Sequence, residues 1–150
     1  MVLPKYLGKS LEKRQVIRPA DEFRADLNQT FTYTEQWMRK GTGKIQNMPF
    51  GTVLTLRDQV AYQPGQVVSK TLAQNDAVSV TLFAFDKDEE ISTHESGGDA
   101  LVTCLDGVGR VTVDGVPHVL HTGESILMPA RHPHAVYGQE QFKMLLVVVF

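Results

Sequence analysis

Residues 89–137 read EEISTHESGGDALVTCLDGVGRVTVDGVPHVLHTGESILMPARHPHAVY, and this stretch decides the fold. Two β-rich runs, Asp99 to Leu105 and Val111 to Val113, are each closed by an Asp-Gly step, Asp106-Gly107 and Asp114-Gly115. Asp-Gly supplies the positive φ angles that two-residue hairpins need, so each step predicts a tight turn. Gly123 and Pro129 bracket a further run, Glu124-Ser125-Ile126-Leu127-Met128. Strands this closely spaced cannot be parallel neighbours, because a parallel connection takes a dozen or more residues. They run up and down.

The same reading extends outward on both sides. Val53 to Leu56, Val67 to Leu72 and Ala77 to Phe85, the last after a Gln-Asn-Asp turn, are predicted strands. In Ala77 to Phe85, Val78, Val80, Leu82 and Ala84 alternate with Ser79, Thr81, Phe83 and Phe85, which suits a strand covered on both faces. Towards the C-terminus, period two places Phe142, Met144, Leu146, Val148 and Phe150 inside, together with Leu101 and Leu105. Leu145, Val147 and Val149 then face outwards and need cover, from the N-terminal segment, a second sheet or a second copy of the chain. The two-sided apolar strands predict a homodimer.

The histidines of the opening stretch carry a family resemblance. His94 precedes a Gly-rich turn (Gly97-Gly98), Asp99 follows it, and Gly107 lies beyond; Gly123, Pro129 and His134 form a second constellation. The stretch resembles the cupin family, whose first motif is HxH, three or four residues, E, about six residues, G, and whose second is G, five residues, PxGxxH. Ser92 stands in the place of the first His, Asp99 in that of the Glu, and Arg131 in that of the internal Gly. The resemblance implies an all-β fold, a cupin double-stranded β-helix or jelly-roll-like barrel over residues 51–150, with residues 1–50 an N-terminal extension packing on it.

The resemblance also implies a metal site. His94 and His134 are its expected ligands, for a divalent ion of iron, manganese, nickel or zinc, since neutral imidazole suits such metals. The third ligand is open. Asp99 stands in the motif position with a side chain one methylene shorter than Glu, and it can equally cap the strand start through backbone hydrogen bonds. Glu95 is longer and adjacent to His94, and is otherwise a solvated turn acid. His132 shares parity with His134 around Pro133 and is a candidate for the imidazole that Ser92 lacks, or else a solvent-facing loop residue. His118 and His121, near the turn before Gly123, are expected to be exposed.

Two functions follow from the resemblance. One is a metal-dependent enzyme of dioxygenase, isomerase or decarboxylase type acting on a small organic molecule. The other is a binding or sensing module that takes a small ligand into the barrel with a depleted metal site. The fold does not choose between them. No phosphate-binding loop or nucleophile elbow competes, and Cys104 sits within an apolar run away from an activating base.

With 150 residues, the chain is the size of one domain with a single core. A formal net charge of −2 provides no field for nucleic acid or an anionic membrane, so neither is an expected partner. Residues 1–20 are locally basic, with Lys5, Lys9, Lys13, Arg14 and Arg18 against Glu12, and carry no nucleic-acid motif. A short helix is predicted from Pro19, with Phe23 and Leu27 on one face. Phe31, Tyr33, Trp37 and Phe50 form an aromatic-rich segment expected to complete the core, or else to cover the barrel mouth or a partner subunit. One cysteine, no signal-like leader and a C-terminal apolar run too short to span a bilayer as a helix predict a cytoplasmic protein.

Overall fold

The structure, a computed structural model, describes residues 44–150. The basic arm, the helix expected from Pro19, and Phe31, Tyr33 and Trp37 lie outside the described residues. Seven strands follow in order: β1 Val67–Gln74, β2 Val78–Phe85, β3 Glu90–His94, β4 Asp99–Val113, β5 Val116–His121, β6 Ser125–Met128 and β7 His134–Val149. Every pairing is antiparallel. The strand expected at Val53 to Leu56 is absent. Leu56–Gln59 forms a single 3₁₀ turn instead, and Val53 is fully exposed. Four residues with no pairing partner gain nothing from extension, whereas turning the chain lets Leu56 reach an apolar cluster.

The strand order is β1-β2-β7-β4-β5, with β3 added to β7 and β6 to β4. Because β4 and β7 are 15 and 16 residues long, each serves two layers. The first half of β4 and the second half of β7 pair with each other and carry β6 and β2. Their remaining halves pair again and carry β5 and β3. The result is a double-sheet antiparallel barrel whose two layers share their central strands.

The bend in β4 lies where a hairpin was expected. Asp114-Gly115 is a tight turn with positive φ at both residues, 52° and 80°, as type I′ requires. At Asp106-Gly107 only Gly107 is left-handed, at 75°, and the pairing register with β7 shifts on either side of it. This step is a β-bulge inside one continuous strand, not a turn. Any Cβ at Gly107 would run into the carbonyl of Gln141.

The bulge reverses which residues point inward. Before it, Ala100, Val102 and Cys104 are buried; after it, Val111 is buried and Val113 packs on the same core. The expected inward placement of Leu101 and Leu105 is therefore wrong. Leu101 is 42% exposed on the outer surface, and Leu105 packs on the outer cluster. On β7 the expected parity holds through Phe142, Met144 and Val148, but Phe150 lies past the strand and is exposed.

Two apolar clusters result. The inner one surrounds Phe85, Val102, Val111, Phe142 and Met144, with the Phe85 and Phe142 rings 5.5 Å apart. Gly109 passes under the Phe142 ring so closely that a Cβ there would meet ring carbons at 2.4 Å. The outer cluster joins Leu72, Leu82 and Ala84 to Val60, with Met48, Leu56 and Tyr62 packed against it. Residues 48–62 thus cover part of the outward apolar face. Leu101 and Leu127, paired across β4 and β6, remain exposed, as do Val149 and Phe150.

Candidate functional site

The inner cluster does not close completely. A cavity of about 280 Å³ remains, lined by Phe83, Ile91, Ala100, Met128, Val136, Met144, Leu146 and Val148 along its walls, and by His94, Glu95, Ser96 and His134 at one end. This polarity is one-sided. An apolar pocket with a few convergent polar groups is the usual form of a small-molecule site.

Strand pairing builds the polar end. His94 ends β3, His134 begins β7, and the two are Cα partners across that pair. Their rings meet edge to face with centroids 4.4 Å apart. Nδ1 of His94 lies 2.8 Å from the carbonyl of Ser92, and Nδ1 of His134 lies 3.1 Å from the carbonyl of His132. A carbonyl only accepts, so both rings carry their hydrogen on Nδ1 and, when neutral, present a lone pair at Nε2. His134 is 4% exposed. Burial holds its pKa below the usual histidine range, and the neighbouring His94 adds to this; the bond to His132 and the charge of Glu95 act in the opposite sense.

Two loops hold this end in place. The amide of Arg131 donates to the Ser96 carbonyl at 2.8 Å, joining the segment after β3 to the one before β7. Arg131 itself has φ 62°, a left-handed conformation that glycine adopts without strain. This accounts for the glycine at that place in the cupin motif. Ser96 Oγ accepts from the amide of Gly98 at 3.2 Å.

Of the five expected site residues, His94, His134 and Glu95 come together on the cavity. Asp99 and His132 do not. Asp99 has the parity of Leu101, is exposed, and its carboxylate accepts the Ala130 amide at 2.8 Å, tying the turn before β7 to the start of β4. His132 turns to Asp114, with Nδ1 2.8 Å from Oδ2, and this pair clasps the β4-β5 hairpin. Among the described residues, no three His, Cys, Asp or Glu side chains gather as a metal-holding group. His118 and His121 are exposed, as expected. Sequence reasoning missed Phe83, Ile91, Met128 and Ser96. The first lies in a strand apolar on both faces, where alternation carries no signal for the inner side.

The comparisons agree with this architecture. The Cupin domain family matches residues 81–150. A conserved protein of unknown function from Streptococcus pyogenes is 42% identical, with a TM-score of 0.70, over 71% of this chain and 94% of its own. A cupin superfamily protein from Desulfitobacterium hafniense is 32% identical, with a TM-score of 0.69, over 72% of this chain and 99% of its own. A cupin 2 conserved barrel domain protein from Leptotrichia buccalis is 45% identical, with a TM-score of 0.64; the match covers 65% of this chain and 47% of that one. Among curated proteins none matches the chain. With a barrel of shared central strands, the two histidines at its mouth, the family match and a cupin superfamily relative 32% identical over 72% of the chain, the chain belongs to the cupin superfamily. Among the described residues no helix is long and apolar enough to cross a membrane.

Proposed function

We propose that this cupin binds a small, partly apolar molecule inside the barrel, with the polar end of the ligand against His94, His134 and Glu95. The observation that carries this reading is the one-sided cavity, in which the imidazoles and the carboxylate stand at one end of walls formed by side chains such as Phe83, Met128, Met144 and Leu146. Burying the apolar part supplies affinity, and the polar end sets orientation.

The donor set does not fit a resident metal ion. Two neutral imidazoles contribute no charge, Glu95 is not gathered with them as a ligand group, and Asp99 and His132 are engaged elsewhere. A weaker reading, an exchangeable divalent ion of iron, manganese, nickel or zinc, draws support from one feature, the Nδ1 anchoring that leaves both Nε2 lone pairs unprotonated. Elemental analysis of untagged protein separates the readings. The binding reading expects far less than one ion per chain, and a stoichiometric ion lost in His94→Ala would replace it.

The direct test is thermal denaturation with small amphiphiles. A ligand at a hundred times its Kd stabilises by about 2.7 kcal/mol, a shift of several degrees. Leu146→Trp, which fills the cavity, should abolish that shift. Equal shifts in both proteins would place binding outside the barrel.

A further inference from the structure

The polar end of the cavity is built almost wholly of acceptors. His94 and His134 each spend their N–H on a backbone carbonyl. Among the described residues neither Nε2 has a hydrogen-bond partner, so each neutral ring turns a lone pair to its surroundings. Glu95 adds a carboxylate with no hydrogen bond or ion pair among the described residues, and its charge is felt at His134. Among the residues lining the cavity there is no Lys or Arg, and the Ser96 hydroxyl is the one side-chain O–H.

We infer that the ligand is a primary ammonium with a short apolar tail. This rests on the reading of the cavity as a ligand site and names the chemistry it selects. An ammonium has three N–H donors and no acceptor. Its N–H groups donate to the imidazole nitrogens, and its charge complements the Glu95 carboxylate nearby, without the three side chains having to close on one point. A carboxylate ligand would bring a second negative charge to a place with no cation to receive it. An alcohol donates a single hydrogen and brings no charge to set against the carboxylate. The tail lies against Met128, Met144 and Leu146, whose walls have no polar group to reward further substitution.

The test uses hexylamine, 1-hexanol and hexanoate, which share one tail and differ at the head, titrated calorimetrically into the full chain near pH 7.5. Hexylamine should bind at least tenfold more tightly than hexanoate and more tightly than hexanol. Glu95→Gln should weaken hexylamine about tenfold and hexanol by much less; Glu95 is exposed, so this change is compatible with folding. Hexanoate or hexanol binding as tightly as hexylamine would overturn the ammonium assignment while leaving the cavity as a ligand site. Binding of none of the three, in protein whose circular dichroism shows the barrel intact, would overturn both.

Discussion

The two apolar clusters lie on opposite faces of the same strands and end differently. On the outer face, residues 48–62 fold back so that Val60 is buried with Leu72, Leu82 and Ala84. The Tyr62 hydroxyl donates to Asp106 at 2.6 Å, directly on the bulge. Burial, and then the Asp106 carboxylate, push the Tyr62 pKa up, so the hydroxyl keeps the proton that makes this bond. On the inner face no segment of the described chain fills the centre, and a cavity persists beside the two histidines. Protein interiors are normally packed without such voids. One face is finished by the chain itself, and the other is left to be finished by a ligand.

Phe142→Ala is the severest way to break that contrast. Its ring is fully buried, rests on Gly109 and packs against Phe85, so its loss should cost about 3–5 kcal/mol in urea denaturation. A loss under about 1 kcal/mol would mean that the inner cluster is loose throughout. Next, Leu82→Ala on the closed face should cost about 2–5 kcal/mol and leave hexylamine affinity unchanged. Its counterpart Leu146→Ala, only partly buried beside the cavity, should cost less than Leu82→Ala and alter that affinity. Matching effects of the pair on affinity would erase the distinction between the faces.

Acid sharpens the contrast at the mouth. Because burial holds the His134 pKa below the usual range, the folded barrel takes up this proton less readily than the unfolded chain. Stability from this group is complete above about pH 6.5 and declines as pH falls through the folded pKa. Urea midpoints should fall more between about pH 7.5 and pH 5 in the native chain than in His134→Gln. Parallel curves would assign the acid loss to other groups. The smallest effect belongs to His132→Ala. It removes a half-exposed pair with Asp114, should cost less than about 1 kcal/mol, and should not touch ligand affinity.

Much of this was legible in the sequence, for physical reasons that also mark where legibility stops. Short β-rich runs with Gly and Pro punctuation can only be antiparallel, and apart from exposed Glu140 the even-numbered residues of β7 face inward from His134 to Val148, because the register shift between Gly138 and Phe142 keeps their parity. The pairing of His94 with His134 followed from the resemblance alone. What misled was Asp106-Gly107. A type I′ turn needs two left-handed residues and a bulge needs one, and Asp-Gly serves both. Since Ala100 to Leu105 is apolar in both parities, taking a bulge for a turn left nothing to show that Ala100, Val102 and Cys104, not Leu101 and Leu105, face inward. Asp99 follows the same parity outward. His132 was drawn away by a partner, Asp114, that its own neighbourhood in sequence does not reveal.

The position of β7 in the chain bears on how the protein is made. It is the last of the seven strands, yet β2, β3 and β4 all pair with it. During synthesis the β1-β2 and β4-β5 hairpins can form from local contacts, but each keeps an unpaired edge until β7 leaves the ribosome. Barrel closure is then a single late event that joins both layers at once. A nascent chain halted before His134 carries open strand edges and no assembled polar mouth, and is the form of this protein most exposed to aggregation.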